Sequence, residues 1–134
     1  MGQWYSRPVL FVADVDAALA FYVGQLGFSE AWKFTENDGA GSTAPPRPDA
    51  PAVVAQVNRD GCEIILSGQW PDKAGKAMLF IALTPEDWAT LPEAFAARDV
   101  AFSEGWWGYR SLIVADPAGN QLYFPDPSDP GGGA

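Results

Sequence analysis

The residues best equipped for chemistry sit together at 106–110, in the run Trp106-Trp107-Gly108-Tyr109-Arg110. Three rings and a guanidinium around one glycine can pack a core or a dimer interface. They can also line a place where a flat or cationic molecule stacks. Trp32 and Trp70 are further candidates for such a wall. Each ring stacked on a heteroaromatic or a cation contributes about 1 kcal/mol. Several rings with desolvation therefore approach the roughly 8 kcal/mol that micromolar binding requires. Side chains alternate along a strand, so at most one of Trp106 and Trp107 can face a given side.

The chemistry that is missing narrows the field further. The chain has no histidine, the commonest metal ligand and the usual general base near neutral pH. Ser–His–Asp and Cys–His catalysis are excluded. A zinc, nickel or iron site would have to be assembled from carboxylates and Cys62. Cys62 is the single cysteine, so no intrachain disulfide forms, and without a His partner it reads as an ordinary strand residue. Eight basic and 17 acidic residues give a net charge of −9. Such a field repels nucleic acid and anionic membranes and favours cationic ligands.

The elements that position these residues can be read along the chain. Its 134 residues, 48% of them hydrophobic, suit one globular domain. No run approaches the roughly 20 apolar residues of a membrane span. The start, "MGQWYSRP", lacks the apolar core of a signal peptide, so a cytoplasmic protein is expected. Residues 7–13 read as a buried strand ending at Asp14, a helix N-cap. Val15, Ala18, Leu19, Tyr22, Val23 and Leu26 then fall at helical spacing, and Gly27 stops the helix. "FSEAWKFTE" reads as a second strand. Prolines at 45, 46, 48 and 51 make 37–51 a long loop. "AVVAQVNRDGCEIIL" reads as a hairpin turning at Asp60-Gly61. After a connector at 68–76, 77–83 reads as a strand. Thr84 then caps a helix with Pro85 at its first position, and Trp88, Leu91 and Phe95 share one face. Pro92 is expected to break or restart that helix. Two final strands flank the tight turn Asp116-Pro117-Ala118-Gly119, whose residues read as turn chemistry rather than catalysis. Arg110 is expected to pair with a carboxylate.

The order strand, helix, three strands thus occurs twice. "FSEAW" at 28–32 and "FSEGW" at 102–106 fall at matching places, which marks an internal repeat. The expected organisation is one α+β domain over 1–127, with module one at 7–67 and module two at 76–125. A flexible tail follows at 128–134.

The stretches "PVLFVADVDAALAFYVGQLGF" (8–28) and "WGYRSLIVADPAGNQLYF" (107–124), with the βαβββ duplication, resemble the vicinal oxygen chelate superfamily. This superfamily holds glyoxalase I, extradiol dioxygenases and bleomycin-resistance proteins. The resemblance implies two βαβββ modules whose sheets form a cup around a ligand cavity, commonly in a homodimer. Enzymes of the superfamily hold a divalent metal in that cup. The matching positions here are Arg7 (Pro8 if the register slips by one), Ile65, Met78 and Tyr123, none of them a competent metal ligand. Glu63, near the second position, is expected to point away from Ile65's side. The metal site therefore reads as absent, with no cofactor.

Loss of those ligands is similar to the bleomycin-resistance branch, as are Pro8 and the "WGYR" stretch. The resemblance implies a metal-free binding protein that sequesters a small aromatic, cationic molecule such as a bleomycin-type antibiotic, with no catalytic residue. Its ligand wall would be drawn from Trp32, Trp70, Trp106, Trp107, Tyr109, Arg110 and Tyr123. A metal-free isomerase or lyase using Tyr123 and a carboxylate, and a metal enzyme with a carboxylate-only site, remain the alternatives.

Overall fold

The computed structural model describes residues 4–35, 50–106 and 110–129. Among these residues eight strands and two α-helices form two modules of the same order. Module one runs β1 (Val9–Phe11), α1 (Val15–Leu19), β2 (Ser29–Thr35), β3 (Ala52–Arg59) and β4 (Cys62–Ser67). Module two runs β5 (Met78–Phe80), α2 (Pro85–Ala97), β6 (Ser103–Trp106), β7 (Arg110–Ala115) and β8 (Gln121–Pro125). The sheet orders are β1-β4-β3-β2 and β5-β8-β7-β6. In each sheet the first strand pairs parallel to the last and the remaining pairs are antiparallel. The fold is α+β, the duplicated βαβββ arrangement that the repeat implied.

Matching bonds fix the equivalence of the two copies. Ile65 N–H donates to the Pro8 carbonyl as Gln121 N–H donates to the Ala77 carbonyl, both at 2.9 Å. At the helix ends, Leu26 N–H reaches the Phe21 carbonyl at 3.0 Å and Val100 N–H the Phe95 carbonyl at 2.8 Å.

The helices start where their caps dictate. The Asp14 carboxylate accepts from Ala17 N–H at 3.1 Å, and the Thr84 hydroxyl from Asp87 N–H at 3.2 Å. Two features depart from the sequence pattern. After Leu19 the first helix widens into a π-helical segment, Ala20–Gln25. The wider turn advances each side chain by less than an α-turn does. Phe21 and Tyr22 are both buried, while Val23, expected on the inner face, is 36% exposed. Gly27, at φ +78, then ends the segment. Pro92, expected to break or restart α2, does neither; the helix runs unbroken from Pro85 to Ala97. Pro92 lies on the exposed side, where water can take the carbonyl left without a donor.

The β3–β4 hairpin turns at Asp60-Gly61, with Asp60 at φ 51. The connector at 68–76 contains a 3₁₀ turn, Pro71–Lys73. β1 and β5 are shorter than the apolar runs that contain them. The first residues of the expected flexible tail are tied down. Ser128 donates through N–H and hydroxyl to the Asp126 carboxylate at 2.9 and 2.7 Å, and Asp129 accepts from Arg110 N–H at 2.9 Å. Most of the proline-rich loop lies outside the described residues.

One hydrophobic core joins both modules. Leu10, Val12, Val57, Ile64 and Leu66 of the first sheet and Leu112, Val114, Leu122 and Phe124 of the second are buried with the helices. A polar knot crosses between the modules. The Asp116 carboxylate accepts from Tyr22 Oη at 2.9 Å, from the N–H groups of Ala118, Gly119 and Asn120, and from Asn120 Nδ2 at 3.0 Å. Asn120 Nδ2 also donates to the Phe11 carbonyl at 2.9 Å. Burial, reinforced by the Asp116 charge and hydrogen bond, pushes the Tyr22 phenol far above its usual range.

Candidate ligand-binding site

Strand alternation gives each sheet one face packed into the core and one face turned away from it. On the first sheet the outward face carries Val9 and Phe11 of β1, Trp32 and Phe34 of β2, Val54, Gln56 and Asn58 of β3, and Glu63, Ile65 and Ser67 of β4. On the second it carries Met78 and Phe80 of β5, Gln121 and Tyr123 of β8, and Ile113 of β7. Large apolar groups remain uncovered there, with Phe34 55%, Met78 45% and Val9 44% exposed.

Gln56, only 4% exposed, organises the first face. Its Oε1 accepts from the Trp32 indole N–H at 3.1 Å and from Arg7 Nη1 at 3.2 Å. Its Nε2 donates to Asn58 Oδ1 at 2.9 Å and Glu63 Oε1 at 3.3 Å. The network fixes Trp32 as a half-buried plate with its ring 5.2 Å from that of Phe34. It also places Glu63 on Ile65's side, which corrects the expected orientation. Residues two apart on a strand share a face, and Glu63 lies opposite Asn58 just as Ile65 lies opposite Gln56.

Trp70, in the connector, meets Phe11 edge to face at 5.6 Å. The Lys73 ammonium sits 5.5 Å from the Phe11 ring centroid and 5.4 Å from that of Trp70. These two rings thus already hold a cation from the chain itself. On the second sheet Tyr123 stacks on Phe80 at 4.9 Å with the planes 13° apart.

The structure separates the remaining candidates from these. Trp106 pairs with Arg110 on the same pleat side as Leu112, which is the core side of β7 and not the side of Tyr123. Trp106 is 74% exposed at the edge of that side. Arg110 pairs with Glu104 at 2.7 Å and Asp126 at 3.6 Å, and its guanidinium lies 5.5 Å from the Trp88 ring. The Ser128 hydrogen bonds, aided by the Arg110 charge, hold the Asp126 carboxyl below its ordinary value. Trp107 and Tyr109 lie outside the described residues.

The four positions equivalent to metal ligands occupy outward faces in pairs. Ile65 lies on the first sheet, with Arg7 bonded to Gln56 beside it; Met78 and Tyr123 lie on the second. A guanidinium, a thioether, an alkyl chain and a phenol do not make a divalent-metal donor set. Among the described residues no three His, Cys, Asp or Glu side chains cluster to hold an ion.

Sequence reasoning missed Gln56, Phe34, Phe11, Phe80 and Lys73. For three of them a signal was present. The two-residue turn pairs Arg59 with Cys62, which by counting back sets Gln56 opposite Ile65, and Phe34 and Phe11 follow from alternation with Trp32 and Val9.

The chain's sequence matches the profile of the family described as "Glyoxalase/Bleomycin resistance protein/Dioxygenase superfamily" over residues 4–124. No match is found among curated proteins. Similar solved structures include the bleomycin-binding protein of bleomycin-producing Streptomyces verticillus in complex with copper(II)-bleomycin. That likeness has 22% identity and TM-score 0.63, covering 92% of this chain and 97% of that one. The antibiotic-binding protein TnmS3 from Streptomyces sp. CB03234 is similar at 19% identity and TM-score 0.62, over 92% and 96% of the two chains. Lactoylglutathione lyase from Agrobacterium tumefaciens is similar at 17% identity and TM-score 0.59, over 92% and 94%. At these identities the likeness is one of fold.

Proposed function

The chain belongs to the glyoxalase/bleomycin resistance protein/dioxygenase superfamily, and from that premise we propose that it is a metal-free binding protein for a small aromatic, cationic molecule. A bleomycin-type antibiotic is the model ligand. The observation that carries this reading is the uncovered aromatic face of the first sheet: a Trp32 plate anchored by Gln56, beside Phe34, with the Phe11–Trp70 pair holding the Lys73 ammonium. A ligand cation that replaces Lys73 between those rings meets geometry that already suits a positive charge. The net charge of −9 raises the local concentration of such a ligand.

Two such faces in a homodimer would form the walls of a shared cleft, with Tyr123 and Phe80 of the second sheet as the facing surface. The exposed Phe34, Val9 and Met78 side chains supply apolar area of the kind that association covers. Sedimentation equilibrium tests the assembly, and a monomer at all concentrations would remove the shared cleft. The ligand is tested by tryptophan fluorescence during titration with metal-free bleomycin in the presence of a chelator. Saturable quenching that weakens in Trp32→Phe supports the reading; an unchanged signal removes this ligand.

A further inference from the structure

A cavity lies away from both outward faces. It has a volume of about 610 Å³ and runs between α2, the tip of the β3–β4 hairpin and the end of the π-helical segment. None of the ligand-wall residues read from the sequence lines it. Its volume falls within the roughly 300–1,000 Å³ typical of small-molecule sites.

The lining is sorted by chemistry. Leu91 and Phe95 of α2, with Ile81, Leu83 and Phe124, make an apolar floor. At one end stand Arg59 and Arg98. The Nη1 atoms of both lie 3.3 Å from the point that a Cβ on Gly27 would occupy, so the two guanidinium groups are close neighbours. Arg59 donates to the Leu26 carbonyl. Among the described residues neither guanidinium forms an ion pair; both ion pairs of the described chain belong to Arg110. Both arginines are exposed at the cavity mouth, and in a chain with 17 acidic and eight basic residues two adjacent guanidinium groups with no ion-pair partner among the described residues leave a paired cationic fork open to a carboxylate. The lining acids do not fill it. Asp87 is at the other end of α2, about 16 Å from Arg98 by helical rise, and Asp60 occupies the hairpin turn.

We propose that this inter-module cavity binds a small amphipathic carboxylate, its head on Arg59 and Arg98 and its apolar body along Leu91 and Phe95. The site is separate from the aromatic faces and takes a ligand of opposite charge. Cys62, the single cysteine, is half-buried in the cavity lining and reports its occupancy. Burial and the Asp60 charge raise its thiol pKa, so labelling by a disulfide reagent is to be followed at mildly alkaline pH.

The test uses the full chain with octanoate as probe. Octanoate is expected to slow Cys62 labelling, and the double change Arg59→Gln, Arg98→Gln to weaken that protection about tenfold or more, as loss of charge-assisted hydrogen bonds would. If the double variant does not fold, Ala94→Trp, which fills the cavity from an exposed lining position, should abolish protection in its place. Octyltrimethylammonium should protect little. No slowing by octanoate, slowing that survives either set of changes, or equal protection by the cationic amphiphile would overturn the proposal. Bleomycin binding to the sheet faces leaves this readout unmoved, so the two sites stand or fall separately.

Discussion

Among the described residues, two junctions at the rim of the shared core join the halves of the repeat, and they are built differently. At one, the π-helical segment of module one reaches the β7–β8 turn of module two, and the space is filled by Tyr22, Asp116 and Asn120, which are 0%, 4% and 1% exposed. At the other, α2 of module two faces the β3–β4 hairpin tip and a cavity remains. The matching helix-end bonds make Phe21 the counterpart of Phe95, so the counterpart of Tyr22 is Ala96, an exposed methyl. The hairpins differ as well. Gln56 opposite Ile65 corresponds to Ala115 opposite Gln121. Beyond that pair module two turns at once, while module one continues for three more pairs before Asp60-Gly61. A duplicated fold has thus spent one junction on cohesion and kept the other open.

The sharpest way to break this comparison is Asp116→Ala. It removes the acceptor of a buried phenol and of the Ala118 and Asn120 N–H groups, and leaves Gly119 N–H and the Asn120 amide with only the Asp116 and Phe11 carbonyls; it should cost about 3 kcal/mol in denaturant unfolding. A cost like that of an ordinary surface change would show that the knot does not hold the modules together. Tyr22→Phe removes one hydrogen bond and should cost about 1 kcal/mol. It should also change the pH profile. The folded-state phenol pKa is raised, so its stabilisation is complete below the ordinary tyrosine pKa of about 10 and is lost as pH rises beyond it. The variant should lack that alkaline loss. The acid side has the opposite sign: Asp126, whose carboxyl is lowered, stabilises above its ordinary pKa and loses that contribution as pH falls through the folded value. Ser128→Ala should therefore flatten the acid limb slightly. At the open junction, Ala94→Leu adds bulk where there is room and should change stability by no more than about 0.5 kcal/mol. A large loss there would mean that the junction is already packed.

Much of the scaffold was legible because its signals are local. Asp14 and Thr84 announce their helices by cap chemistry, Gly27 ends one, and Asp60-Gly61 sets a hairpin register from which whole faces can be counted. The same counting, from Ala115 opposite Gln121, separates Arg110 from Tyr123 by pleat side. Proximity in sequence to a suggestive motif had grouped them. What was not legible is non-local. Tyr22 and Asp116 are 94 residues apart, and turn chemistry alone accounts for an aspartate at that place. The π-helical widening and the uninterrupted passage of α2 through Pro92 are tertiary outcomes, in which burial of Phe21, Tyr22, Leu91 and Phe95 outweighs local helix preference. An open cavity has no sequence pattern, because it consists of what the flanking side chains leave unfilled.

Calorimetric titration of the purified chain with metal-free bleomycin under chelation tests most directly whether the outward aromatic face binds such a ligand. The expected result is saturable binding at micromolar or lower concentration that Trp32→Ala weakens by about tenfold. Heats that never saturate, or an affinity indifferent to Trp32, would contradict it.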